Sequence, residues 1–511
     1  ALITLLLVYM FAAPYLPGAL KAKAYSVDQV TELMYLSADQ GIYGFLTGIG
    51  ATIIFVFILF AAIMIRSGVG QFFMDVSVMI AGRFRGGPAK VAVLSSGLYG
   101  SISGSGVADV YSTGSFTIPL MKRVGYNKTS AGAIEAVASA GGPFLPPIMG
   151  AGAFIMAEVT STSYLIVIQA AFLAGLLYYV GITTTVHFEA VKNDIKSAPI
   201  EWNVGWMSIL KRLPLIIPFI IMIWLLVGGI SPAKASVTSI VAMLVIWILV
   251  DRKKFKITTL IRALEYATKS GAVIAAALAG AGMMVAVVNQ TGLALSLGNL
   301  ITKYSFGVLG IALALVMITV IALGAGIPAT PSYIITATVA VGALSAFDIP
   351  LLYVHLFIYY FAILADITPP VGVTAFAAAN LANSPPLKTA LFSVKYAFAG
   401  FIVPYIFIAN PALLLGQGDY ALHETLLVFV LTAIGIVGLG AAVIGAFFER
   451  IGWVKRIVLA VLSFGIVTPT LYVTAICLVL QAAFITMMYI QYKRKKNNAI
   501  ENDIAVKAIQ E

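Results

Sequence analysis

Charge is scarce in this chain. Asp, Glu, Lys and Arg make up 10% of its 511 residues, against 61% hydrophobic residues and a mean hydropathy of +1.02. That deficit excludes a water-soluble globular protein, which carries about a quarter charged residues. Cysteine is almost missing. Cys477 stands alone in an apolar run, which excludes an internal disulfide and most thiolate metal sites; it reads as a small core residue. Histidine is nearly as rare, and His187, His355 and His423 are too far apart to show metal-ligand spacing. Strand-like alternation is missing too. The apolar runs are continuous, which excludes a β-barrel. An all-α polytopic membrane protein remains.

The charge that is present is uneven. The formal net charge of +11 gathers at Lys211-Arg212, Arg252-Lys-Lys254 and Lys493-Arg-Lys-Lys496. Short basic loops between apolar runs mark the cytoplasmic side of a membrane, not a nucleic-acid surface.

The charge pattern exposes an unusual segment. Arg83, Arg85 and Lys90 precede Val91–Met121, and Lys122, Arg123 and Lys128 follow it. With both flanks inside, the segment must enter the bilayer and return. Each arm has about 15 residues, below the ~20 needed to span. Ser101-Ile-Ser-Gly-Ser-Gly106 falls at the turn. We read residues 91–121 as a re-entrant hairpin. Irregular backbone at that depth is tolerated only inside protein or along a polar cavity.

Next, residues 130–158 are long enough to cross, but Gly141-Gly-Pro-Phe-Leu-Pro-Pro147 interrupts them. Prolines remove helix hydrogen bonds and clash with the preceding turn. Two half-helices with an unwound middle are expected. The second half of the chain repeats this order. Residues 305–346 form a second hairpin candidate with Gly324-Ala-Gly-Ile-Pro-Ala-Thr-Pro331 at its tip. Residues 351–381 form a second broken span, interrupted at Asp366-Ile-Thr-Pro-Pro-Val-Gly372. The flanks of this second hairpin carry only Lys303 and Asp348, as an outside-facing entrance should. Inverted repeats with broken helices are the signature of a secondary transporter.

The expected organisation follows. Residues 1–40 hold an apolar helix and a polar outside connector, and the chain opens in an already apolar run, so an upstream segment is expected. Residues 41–213 are the first repeat, with an interfacial stretch at Ser67–Phe84 and an interfacial connector carrying Trp202 and Trp206. Residues 214–270 are scaffold helices and a basic loop, Asp251 to Lys269. Residues 271–415 are the second repeat, 416–492 are extra membrane helices, and 493–511 are a disordered cytoplasmic tail.

Unwound backbone suits a polar solute at mid-depth. Half-helix N-termini offer N–H groups and the positive dipole end to anions; carbonyls and hydroxyls suit Na⁺. Intramembrane acids are costly, which singles out Asp109 and Asp366 as ion ligands, proton carriers or partners of a basic group. Glu135 and Glu158 fit structural or interfacial roles equally well. His355 is a weaker proton-carrier candidate, and Tyr111 and Tyr333 follow the two tips. No Arg lies at a tip or break, so an anion would lean on helix ends, hydroxyls and a bound cation.

At Ser103-Gly-Ser-Gly-Val-Ala-Asp109, Ala140–Gly150, Gly324–Pro331 and Ala365–Gly372 the chain resembles the large membrane subunit of tripartite ATP-independent periplasmic (TRAP) transporters. The TAXI subclass, whose small and large membrane subunits are fused, is the nearest match. The resemblance covers Tyr43 to Leu415. It implies an elevator fold of the ion-transporter superfamily in a bacterial inner membrane. A periplasmic binding protein and a small membrane subunit, fused upstream, are the implied partners. The substrate would be a small carboxylate, namely a dicarboxylate, 2-oxoacid or amino acid. The implied coupling ion is Na⁺ or H⁺, with no other cofactor.

It also implies site residues. Ser101, Ser103, Asp109, Ser139, Gly142 and Pro143 would form one cation site. Gly324, Gly326, Asp366 and Thr368 would form another. Substrate would lie between Ser103, Gly104, Ser105, Gly106 and Gly326, Ile327, Pro328, Ala329, Thr330. Asp109 in the first motif admits proton chemistry in place of Na⁺. A stand-alone dicarboxylate carrier or antiporter is the nearest alternative. An intramembrane enzyme using Ser101, Ser103 or Ser105 is a distant one, since Asp109 is too poor a base for serine alone and no His is nearby in sequence.

Overall fold

In a bilayer every backbone N–H and C=O must be satisfied within the chain, and helices do this locally. The computed structural model describes residues 2–196, 205–250, 255–344 and 347–510. Among them are helices and turns but no strand. Seven helices are long and apolar enough to cross a membrane, and Pro386–Tyr396 with Phe398–Ala409, bent by 41°, forms a further broken one. Trp202, the basic run Arg252-Lys-Lys254 and the end of the second hairpin at Ala346 lie outside the described residues.

Both hairpins are present. The first has arms Gly87–Ser103 and Gly106–Arg123. Gly104, at φ +64°, ends the first arm in the left-handed region, and the Ser105 hydroxyl caps the second by accepting from Ala108 N at 3.4 Å. The second has arms Leu309–Gly324 and Ala329–Leu344, turning through Gly326 at φ +78°. The two broken helices match in the same way. Lys128–Ala140 resumes at Ala151–Val159, and Leu351–Ala365 resumes at Val373–Ala382. Each break holds a cis Pro-Pro bond, Pro146-Pro147 and Pro369-Pro370. The repeat extends to the approach helices. Val69–Ala81 and Leu293–Tyr304 each follow a left-handed glycine, Gly68 and Gly292, and pack along a hairpin arm.

Packing divides the helices into two groups. The hairpins and broken helices pack on one another and on Tyr164–Lys192 and Phe398–Ala409. Pro232–Val250 and Ile257–Gln290 both pack on Phe45–Arg66, and Leu2–Ala12 joins them against Ile257–Gln290. The two groups meet chiefly where Ile257–Gln290 lies against Ala329–Leu344.

Two expectations change, at residues 257–269 and in the tail. The helix within Ser67–Phe84 buries Phe72, Phe73, Met74 and Asp75 against the first hairpin. Arg212 pairs with Asp75 and ties this helix to Trp206–Arg212. The loop expected up to Lys269 is helical from Ile257, in a 34-residue helix whose exposed first turns carry the charges in water and whose Lys269 pairs with Glu265. The tail after Lys493 is helical through Gln510, because a helix already nucleated in the bilayer extends at little cost. Val454–Gln491, which with basic residues at both ends is expected to cross twice or re-enter, forms Trp453–Ile466 and Leu471–Gln510, which run antiparallel and are joined by a turn at Thr468-Pro469-Thr470. Lys455 contacts Gln491 and Ser463 contacts Gln481 across them.

Candidate functional site

Glycine lets the first tip enter the first break. A Cβ on Gly100 would sit 2.7 Å from Gly142 Cα and 2.5 Å from Asp109 Oδ2. A Cβ on Gly104 would sit 3.0 Å from Met149 O. No side chain fits between these backbones. The second tip meets the second break by a backbone bond, Gly326 N to Val371 O at 3.0 Å. Gly324 faces the Ser332 hydroxyl and Ala365.

The repeats also touch each other. A Cβ on Gly106 would lie 3.1 Å from Thr374 Oγ1. Both tips therefore border one segment, Val371–Thr374. Three helices begin at it or at the tips that border it: Gly106–Arg123, Ala329–Leu344 and Val373–Ala382. Their first N–H groups have no partners within their own helices, so this centre favours negative charge. Ser105, Gly326, Pro328, Pro370 and Val371 form its exposed rim.

Below the rim, several buried oxygens have no hydrogen-bond partner: Asp109 Oδ2, Ser332 Oγ, Asp366 Oδ1 and Thr374 Oγ1. Burying such groups unpaired costs about 1–3 kcal/mol each. Asp109 is held in place, since the Ser103 hydroxyl donates to its Oδ1. Asp366 is held by its backbone, whose carbonyl accepts from Thr374 N at 2.9 Å. A hard cation or a water satisfies oxygens of this kind.

The remaining expected residues divide. Ser101 donates to Leu98 O within its own helix, and Thr368, in the second break, donates back to Leu364 O in the helix before it. Ser139 turns to Glu135 at 3.3 Å. The Pro143 carbonyl is occupied: it accepts from Gly150 N at 2.7 Å and from the Tyr359 hydroxyl at 2.9 Å. Ala329 and Thr330 are buried, while Ile327 is half-buried near the tip.

Glu135 proves to be a hub. It is fully buried, and among the described residues no basic group pairs with it. Its Oε1 accepts from Ser96 at 2.9 Å, Thr113 at 2.6 Å and Ser139; its Oε2 accepts from Thr117. One carboxylate thus joins both arms of the first hairpin to the first broken helix. The donors are scattered over more than 40 positions, so no local motif announces them. Thr374 and Ser332 also escaped the sequence reading. Thr374 is the second residue of the half-helix that opens directly after Pro-Pro-Val-Gly, and that position was the available signal. His355 is buried with its Nδ1 2.7 Å from the Tyr333 hydroxyl, a satisfied pair away from the orphaned oxygens. Tyr111 is exposed on the second arm.

Residues 1–416 match the family described as "Tripartite ATP-independent periplasmic transporter, DctM component". The chain belongs to this family. It is similar to the sialic acid TRAP transporter large permease protein SiaM of Vibrio cholerae, with 23% identity over 71% of this chain and 86% of that protein. It is similar to the C4-dicarboxylate TRAP transporter large permease protein DctM of Pseudomonas aeruginosa, with 25% identity over 72% and 85%. The ectoine/5-hydroxyectoine TRAP transporter large permease protein UehC of Ruegeria pomeroyi is 30% identical over 38% of this chain and 46% of that protein. The chain spans less than half the length of several of the curated relatives it matches. Family membership and the apolar helices make the chain a multi-pass inner-membrane transport protein and set aside the enzyme reading.

Proposed function

We propose that this chain is the large permease of a tripartite importer of small carboxylates, driven by a Na⁺ or H⁺ gradient and fed by a periplasmic binding protein. The observation that carries this reading is the group of three helix N-termini at Val371–Thr374, together with the orphaned buried oxygens Asp109 Oδ2, Ser332 Oγ, Asp366 Oδ1 and Thr374 Oγ1. The N-termini fit a carboxylate, and the oxygens fit a cation. Relatives named for C4-dicarboxylates and for sialic acid support an acidic substrate. The absence of Arg at either tip leaves the helix ends and the cation as its binding partners.

Substrate would sit between Ser103–Gly106 and Gly326–Thr330. Asp109 with the first break would hold one cation or proton, and Asp366 with Ser332 and Thr374 another. The two packing groups support an elevator, with the hairpins and broken helices as the moving body and the helices around Ile257–Gln290 as the scaffold.

Uptake of labelled dicarboxylates, 2-oxoacids and amino acids into proteoliposomes tests this. The full-length permease is assayed with and without its binding protein, under a Na⁺ or an H⁺ gradient. Uptake that needs the binding protein and one gradient supports the reading and names the ion. Uptake indifferent to the binding protein points to a stand-alone carrier instead.

A further inference from the structure

The membrane helices beyond residue 416 lie outside the match to the family, and the transport chemistry does not use them. Leu422–Ile444 packs on Tyr164–Lys192, and the antiparallel pair Trp453–Ile466 and Leu471–Gln510 packs outside it. Both ends of that pair fall at one membrane face. Arg450, Lys455 and Arg456 stand at one end, and the run Lys493-Arg-Lys-Lys496 stands at the other. The acid between residues 445 and 498 is Glu449 alone.

Antiparallel packing brings these two basic stretches together. Lys455 Nζ lies 2.7 Å from Gln491 Oε1, and Lys495 Nζ lies 2.8 Å from Glu449 Oε2. Aromatic rings fill the space between them. Phe448 lies 5.3 Å from the Tyr489 ring and 6.0 Å from the Tyr492 ring. Trp453 is 72% exposed and carries the Arg456 guanidinium 4.1 Å above its ring. Exposed Val454 and Ile457 continue the apolar surface into the bilayer. Aromatic rings with basic residues at the end of an apolar hairpin mark the headgroup level. Arg450, Lys493, Arg494 and Lys496 are exposed, and among the described residues none has an acid partner.

We propose that this collar is a binding site for anionic phospholipid headgroups of the cytoplasmic leaflet. The phosphodiester would take the exposed guanidinium and ammonium groups, and the acyl chains would lie along Val454 and Ile457. A polybasic cluster at a cytoplasmic helix end attracts anionic lipid. The inference needs the membrane topology but not the transport reading.

Native mass spectrometry of the full chain, exchanged from detergent into mixed lipid, tests it. The probes are phosphatidylglycerol, phosphatidylcholine and inorganic phosphate. Retention of phosphatidylglycerol over phosphatidylcholine is expected, falling about tenfold in the R450Q/R494Q/K496Q variant. Circular dichroism and melting of that variant should match the parent. A second variant, K234Q/K303Q, removes the same kind of charge elsewhere and should keep the lipid. Equal retention of the two lipids, unchanged retention in the collar variant, or full displacement by millimolar phosphate overturns the proposal.

Discussion

Gly106 of the first tip lies against Thr374 of the second break, where a Cβ on the glycine would stand 3.1 Å from the threonine hydroxyl. This contact joins repeats that are otherwise far apart in sequence. It also leaves Thr374 Oγ1 buried without a partner. Thr374→Val keeps the shape and removes the orphaned oxygen. We expect the melting temperature in detergent to hold or rise, because an unsatisfied buried hydroxyl costs about 1–3 kcal/mol. We expect uptake to fall by about tenfold if that oxygen serves an ion or substrate. A variant that transports normally would remove Thr374 from the site.

Asp109 tests the coupling. Asp109→Asn retains a carbonyl oxygen able to accept from Ser103, so the tip should keep its shape. Gradient-driven uptake should fall at least tenfold, while substrate exchange across vesicles without a gradient should persist. If gradient-driven uptake survives, the coupling ion does not depend on this carboxylate.

Glu135 should behave as a structural hub. Glu135→Gln leaves one acceptor for four hydroxyl donors, although Thr113 and Thr117 can fall back on Asp109 O and Thr113 O in their own helix. A loss of about 1–3 kcal/mol is expected. Glu135→Ala adds a cavity and should cost more, about 2–5 kcal/mol. Thermal unfolding in detergent gives the order parent, Gln, Ala. An Ala variant as stable as the parent would contradict the hub.

Gly152 lies under the Tyr359 ring, and a Cβ there would meet the ring carbon Cε2 at 2.6 Å. Gly152→Ala should destabilise by about 1–3 kcal/mol through overpacking. Adding Tyr359→Leu should recover part of that loss. Additive losses in the double variant would show that the two residues do not share this space.

Much of this was legible because Gly and Pro carry backbone information directly. Gly104, Gly326 and the two Pro-Pro pairs sit where the chain must turn or unwind, and the hairpin arms follow from basic residues at Arg85 and Arg123. Boundaries in charged stretches were less legible. Residues 257–269 read as a loop because charge usually marks water, yet a helix can leave the bilayer and continue. Contacts between residues far apart in sequence were not legible at all. Gly106 with Thr374, and the donors around Glu135, are brought together only by tertiary packing.

Tyr359, from the second broken helix, holds the Pro143 carbonyl in the first. The repeats are offset by 223 residues at their Pro-Pro pairs (369 − 146), so the matching place in the first repeat is 359 − 223, where Ala136 stands. The brace is therefore made once and has no mirror image. The two repeats share a backbone plan but not the bonds that hold it in place.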